Sequence, residues 1–210
     1  MKFSKEFKEA VLHLSEKEKD KLLIRLLKKD KNLVNQLYFE LLDDKSLEDR
    51  RELIEEQIRE RGREIAQEAK SLNQLKVLTS FLSGDIAEHV RTTKDKFGEI
   101  SLTILLLTTV IKNAEELFEK THPVHAQKFC IYVIARSFKI LVLLQKMHED
   151  ILLEFEDSLP ELGKAIASEH LLMKTAINHG LDVNWLILEN NIPEDIAEIQ
   201  KEVKRMGFLR

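Results

Sequence analysis

At 210 residues the chain can bury a substantial core, either as one large domain or as a bundle with a small helical appendage. Six glycines and three prolines stand among abundant Leu, Ile, Glu and Lys, a composition that favours helices and supplies too few turns for an all-β fold. Charged residues make up 33% of the chain yet leave a net charge of only −4, which argues against an indiscriminate nucleic-acid binder.

The N-terminus, MKFSKEFKEAVLHLSEKEKDK, alternates charged and apolar residues and lacks the apolar region and cleavage site of a signal peptide. Ser15 and Glu18 form a capping box that opens a helix to about Lys28, with Leu22, Leu23, Leu26 and Leu27 on one face. Asp30 is placed to cap a second helix, in which Leu33, Val34, Leu37, Tyr38 and Leu41 recur at helical spacing. The pair reads as a helical hairpin with one apolar side. Ser46 and Asp49 then begin a long charged helix to about residue 83, with a kink expected near Gly62 or Ser71–Asn73. Arg50, Arg51, Arg59, Arg61 and Arg63 alternate with glutamates at self-pairing distance, and the thin apolar seam suits docking on another subunit.

Gly84-Asp85 reads as a helix end followed by a cap, so the boundary falls there: an N-terminal helical arm over 1–83 and a C-terminal helical bundle over 84–210. Further helices are expected from Asp85 to about Phe97, from Ile100 to about Lys120, and from Val124 to Asp157, the last opened by Pro123. Pro160 opens another, ending at His179-Gly180, where the helix dipole favours a charged His179. Asp182 caps a short helix containing Trp185, and Pro193 starts the last one. The longest charge-free apolar run, Ile100–Ile111, is too short to cross a bilayer, and a cytoplasmic protein is expected. The single cysteine, Cys130, lies in an apolar block and reads as a buried, inert thiol.

That block, Phe129–Leu144, is broken only by Arg136, Ser137 and Lys139. Lys128, Tyr132, Arg136, Lys139 and Lys146 follow the spacing of one helix face. They form either a solvent stripe beside a buried helix or a cationic strip for RNA or an acidic partner. Arg136, within so apolar a block, calls for a fixed partner such as a buried carboxylate or a ligand. Glu116-x-x-Glu119 and Glu154-x-x-Asp157 could together hold Mg²⁺ if their helices were adjacent, as in all-helical nucleotide pyrophosphohydrolases. His122, His125 and Cys130 do not complete a zinc set, and no Walker loop, GxGxxG or GxSxG occurs, so no cofactor is expected. The segment Ala176–Leu186 has helix-turn-helix spacing, but DVNWLILENN carries no basic residue, which argues against sequence-specific DNA binding.

The stretches KEKDKLLIRLLKKDK, SGDIAEHVRTTKDKFGEISL, IYVIARSFKILVLLQKMHED, LMKTAINHGLDVNWL and IPEDI together resemble a family of uncharacterised bacterial all-helical proteins. The likeness covers nearly the whole chain and implies a helical fold in a bacterial cytoplasm. Some members carry the name deoxyuridine triphosphate nucleotidohydrolase; the β-sheet enzymes of that name use Gly/Ser-rich motifs with no counterpart here. The expectation is thus a non-enzymatic helical interaction protein that binds a protein partner or itself through its arm. The alternatives are a Mg²⁺-dependent hydrolase using the four carboxylates and an RNA-associated protein using the basic stripe.

Overall fold

A computed structural model describes residues 3–188 and 191–209, and among these the chain is helical throughout, with no strand. Its helices are α1 (Lys5–Leu12), α2 (Glu16–Leu27), α3 (Lys31–Leu42), α4 (Leu47–Glu68), α5 (Leu72–Thr93), α6 (Lys96–Lys112) and α7 (Glu115–Lys120). They continue with α8 (Pro123–Leu144), α9 (Glu149–Leu152), α10 (Ser158–Ser168), α11 (His170–Asn178), α12 (Asn184–Ile187) and α13 (Ile196–Arg205). The all-α multi-helix bundle expected from composition is present.

Helix starts follow local chemistry. Ser15 and Glu18 exchange bonds in a capping box at α2, Asp30 accepts the Asn32 and Leu33 amides at α3, and Ser46 and Asp49 repeat the box at α4. Pro123 occupies the first turn of α8, where its missing N–H costs nothing. The kink expected near Gly62 or Ser71–Asn73 in the helix over 46–83 falls at the second place and is a full break: Ser71 caps α5 through the Gln74 amide after α4 ends at Glu68. The break expected at Gly84-Asp85 is absent, since α5 runs through it to Thr93. Nothing lies within 4 Å of where a Gly84 side chain would begin, so Gly84 is simply accommodated. The boundary drawn at residue 84 therefore falls inside a helix.

The core is built around α6 and α8. Ile100, Leu102, Leu106, Leu107 and Val110 of α6 are buried with Phe129, Cys130, Val133, Ile134, Phe138 and Leu141 of α8. Each such large side chain contributes roughly 1.5–3 kcal/mol by leaving water. The charged helix α4 does not project: it packs on α5 and α6 and buries Ile58, Gly62 and Ala66. Its direction is fixed by contacts at both ends. Arg51 meets Asp95 and the Phe97 ring, while a Cβ on Gly62 would lie 3.1 Å from Thr109 Cγ2. So α4 and α6 run parallel. Gln57 bonds Asp85, and His89 reaches the Asp95 that Arg51 holds, so α5 runs antiparallel to α4.

One polar node joins these three helices. Asp95, only 3% exposed, caps α6, and both of its oxygens are doubly engaged. Arg51 Nη2 (3.1 Å) and the Gly98 amide (2.7 Å) donate to Oδ1. Arg51 Nε (2.7 Å) and His89 Nε2 (3.1 Å) reach Oδ2; the carboxylate can only accept, so Nε2 carries the proton. Burial pushes the Asp95 carboxyl up, but the bonds from His89, Arg51 and the Gly98 amide outweigh it and hold the group at about 2. Gly98 is required because an added Cβ would lie 2.1 Å from Asp95 Oδ2.

Two predictions follow from the node. Asp95→Ala should destabilise the fold by about 2–4 kcal/mol, and Gly98→Ala by about 1–3 kcal/mol. Both are read from urea midpoints, and a wild-type midpoint for either would show the node to be dispensable. The second concerns acid. The folded carboxyl lies below its unfolded value of about 3.9, so its contribution is complete above about pH 4 and is lost as pH falls through about 2. Asp95→Asn should therefore lose less stability than wild type between pH 4 and pH 2. Parallel losses would contradict this.

Candidate interaction surface

Residues of α1, α2 and α3 alternate apolar and charged positions so that each helix has an apolar side, yet none of the three buries a single residue. Phe7, Leu12, Ile24, Leu26, Tyr38, Leu41 and Leu42 are all exposed, Leu12 at 70% and Leu41 at 74%. Exposed apolar side chains are ordinary when scattered; here they are concentrated in one segment. The arm is nevertheless anchored. Helix α3 packs on α5, with Gln36 Nε2 donating to the Arg91 carbonyl at 2.7 Å. Arg50 pairs with Asp43 and sits 4.9 Å above the Phe39 ring. A cleft of about 630 Å³ lies in the angle, bordered by Asn35, Tyr38, Gln57, Asp85 and His89.

The docking seam expected over 46–83 is already covered from within. Ile58, Ala66, Leu72, Leu75 and Leu82 are buried, leaving Leu53, Val77 and Phe81 as the large exposed apolar side chains of that stretch. The arginine tract does not pair with its own glutamates: Arg50 goes to Asp43, Arg51 to Asp95, and Arg63 Nε donates to the Arg59 carbonyl. Sequence spacing showed arginines that could pair along one helix; the long-range carboxylates that compete for them were invisible to it. The only local hint of the node was an aspartate three residues before a glycine, Asp95 to Gly98.

The basic face of α8 is edged by neighbouring helices. Tyr132 Oη lies 2.5 Å from Ser83 Oγ on α5, and Lys139 Nζ donates to Glu99 of α6 at 2.5 Å. Arg136 is half-buried, with its guanidinium 5.3 Å from the Tyr132 ring, and it pairs with no carboxylate among the described residues. The partner expected for it is an aromatic face rather than a buried acid. Lys128 and Lys146 are exposed. These side chains mark the wet edge of a buried helix.

The carboxylates named for Mg²⁺ do not assemble. Glu116, Glu119, Glu154 and Asp157 are all exposed, Glu116 bonds Lys120 at 2.8 Å, and α7 and α9 interrupt the long helices on which the pairing was drawn. No group of three or more His, Cys, Asp or Glu among the described residues could hold a metal ion. His179 also departs from expectation: burial lowers its pKa, and Nδ1 accepts the Leu209 amide at 3.1 Å, which requires that nitrogen to be unprotonated. Among the described residues no helix is long and apolar enough to cross a membrane.

Cys130 is fully buried, and burial pushes its thiol up to about 12. A neutral thiol is a poor nucleophile. At pH 7, a thiol-specific reagent should label the folded chain more than ~100-fold more slowly than the urea-unfolded chain. Comparable rates would mean that the α8 core opens. No protein family, curated protein or solved structure matches this chain.

Proposed function

We propose that the chain is a non-enzymatic helical interaction protein that docks on another protein surface, or on a second copy of itself, through α1–α3. The observation that carries this reading is the contrast between arm and body. The arm has the apolar spacing of a packed hairpin but buries nothing, whereas the body buries its apolar faces thoroughly. An amphipathic helix left uncovered is the surface used in helix-to-helix recognition. The charged residues between its apolar positions, such as Lys17, Glu18, Lys21 and Arg25, keep it soluble while it is free.

Replacing Leu12, Ile24 and Leu41 together by Asp should abolish association and leave the body's melting temperature within a few degrees of wild type, because none of the three is buried. Association is read by light scattering across concentration and by retention of protein on the immobilised chain. A wild-type chain that stays monomeric and retains no protein would overturn the reading. So would association that the triple variant leaves intact.

A further inference from the structure

A second feature lies on the opposite side of α4 from the arm's anchor. Between α4, α6 and the start of α10 runs an open groove of about 550 Å³. Its floor includes Ile104 and Leu105 of α6, and one end is closed by Phe97 and Phe155, whose rings are tilted by 34° with centroids 5.0 Å apart.

Two hydroxyls on this wall are anomalous. Thr79, Thr93, Thr103, Thr121 and Thr175 each donate to the carbonyl four residues earlier, the ordinary way a helical threonine is satisfied. Ser101 Oγ and Thr108 Oγ1 are buried and have no partner at all. Thr108 is only 6% exposed, and both residues line the groove, two turns apart on one face of α6. An unpartnered buried hydroxyl is costly and calls for an explanation, such as a group that binds beside it.

The charges along the groove are sorted by position. Because α4 and α6 run parallel, Glu55 lies near the level of Ser101, and Glu154 is held at the same end by its neighbour Phe155. Arg59 and Arg63 follow one and two turns further along α4, towards Thr108, Thr109 and Lys112. Lys112 is paired across the groove with Glu161. Among the described residues Glu55, Glu154, Arg59 and Arg63 pair with no opposite charge. One end therefore carries two carboxylates and the other two guanidinium groups without an ion-pair partner, Arg63 bonding only the Arg59 carbonyl through Nε, and each end has one unpartnered hydroxyl nearby. The eight helical steps from Glu55 to Arg63 span about 12 Å.

We propose that this groove binds an elongated zwitterionic small molecule. Its ammonium group lies between Glu55 and Glu154, whose carboxylates attract a cation, with the Phe97 and Phe155 side chains closing that end of the groove. Its carboxylate meets Arg59 and Arg63, with Thr108 Oγ1 donating to it, and its aliphatic body covers Ile104 and Leu105. The arm takes no part, so this site stands or falls separately from the docking surface.

The test is a titration of the full chain with 8-aminooctanoate, followed by amide NMR shifts, with octanoate and octylamine as single-charge comparators. Saturable shifts at Ser101, Thr108 and Thr109 are expected, with the zwitterion binding about tenfold or more tightly than either comparator. Thr108→Val and Arg63→Gln should each weaken it by about fivefold or more without lowering the melting temperature. Equal affinity for all three compounds, shifts confined to the arm, no saturable shift, or full affinity in both variants would overturn the proposal.

Discussion

The bidentate pairing of Arg51 with Asp95 positions the rest of the molecule. It fixes the start of α6 against the start of α4, while His89 ties the same carboxylate to the end of α5. A buried carboxylate is costly unless its lone pairs are filled. Here four donors fill them, one being a backbone amide that is accessible only because residue 98 is glycine. The geometry leaves Asp95 no capacity for a substrate or metal, so this strongly lowered carboxylate belongs to the architecture of the fold. A perturbed pKa in a buried cluster often marks a catalytic site; the complete set of donors distinguishes this case from one.

Once α4 and α6 are locked in parallel, two surfaces of different character result. On one side α3 leans on α5 and carries α1 and α2 outward, with their apolar positions uncovered. On the other, the close approach at Gly62 and Thr109 brings the arginines of α4 along the hydroxyl-bearing face of α6. An exposed arm tolerates displacement, whereas a groove between packed helices holds its charges in register. The first arrangement fits recognition by contact area and the second recognition by the spacing of charged groups.

The sequence made some of this legible and concealed the rest for physical reasons. Caps are local, so Ser15, Asp30, Ser46 and Pro123 announced their helices correctly. The apolar block at Phe129–Leu144 announced the core helix, because the hydrophobic effect depends on composition over a short span. Helix breaks were less visible. Gly84 looked like a stop but meets no left-handed requirement, while Lys94, a residue with no turn preference, ends α5 in the left-handed conformation at φ 62°. The destinations of Arg50 and Arg51 were hidden entirely, because pairing over long sequence separations depends on which helices meet. The arm's sticky side was readable; that it stays uncovered was not.

This difference explains why charge patterning misled in the arginine tract. Spacing of i to i+4 offers each arginine a nearby glutamate, but an exposed pair of that kind is worth only a few tenths of a kcal/mol. A bidentate bond to a buried, preoriented carboxylate is stronger, so Arg51 leaves its own helix for Asp95. With Arg51 committed there, α4 cannot rotate about its axis to turn Arg59 and Arg63 elsewhere, since they follow at fixed helical increments. The buried node therefore also sets which charges face the groove, and the polarity of that groove is a consequence of how the fold is tied rather than of a local motif.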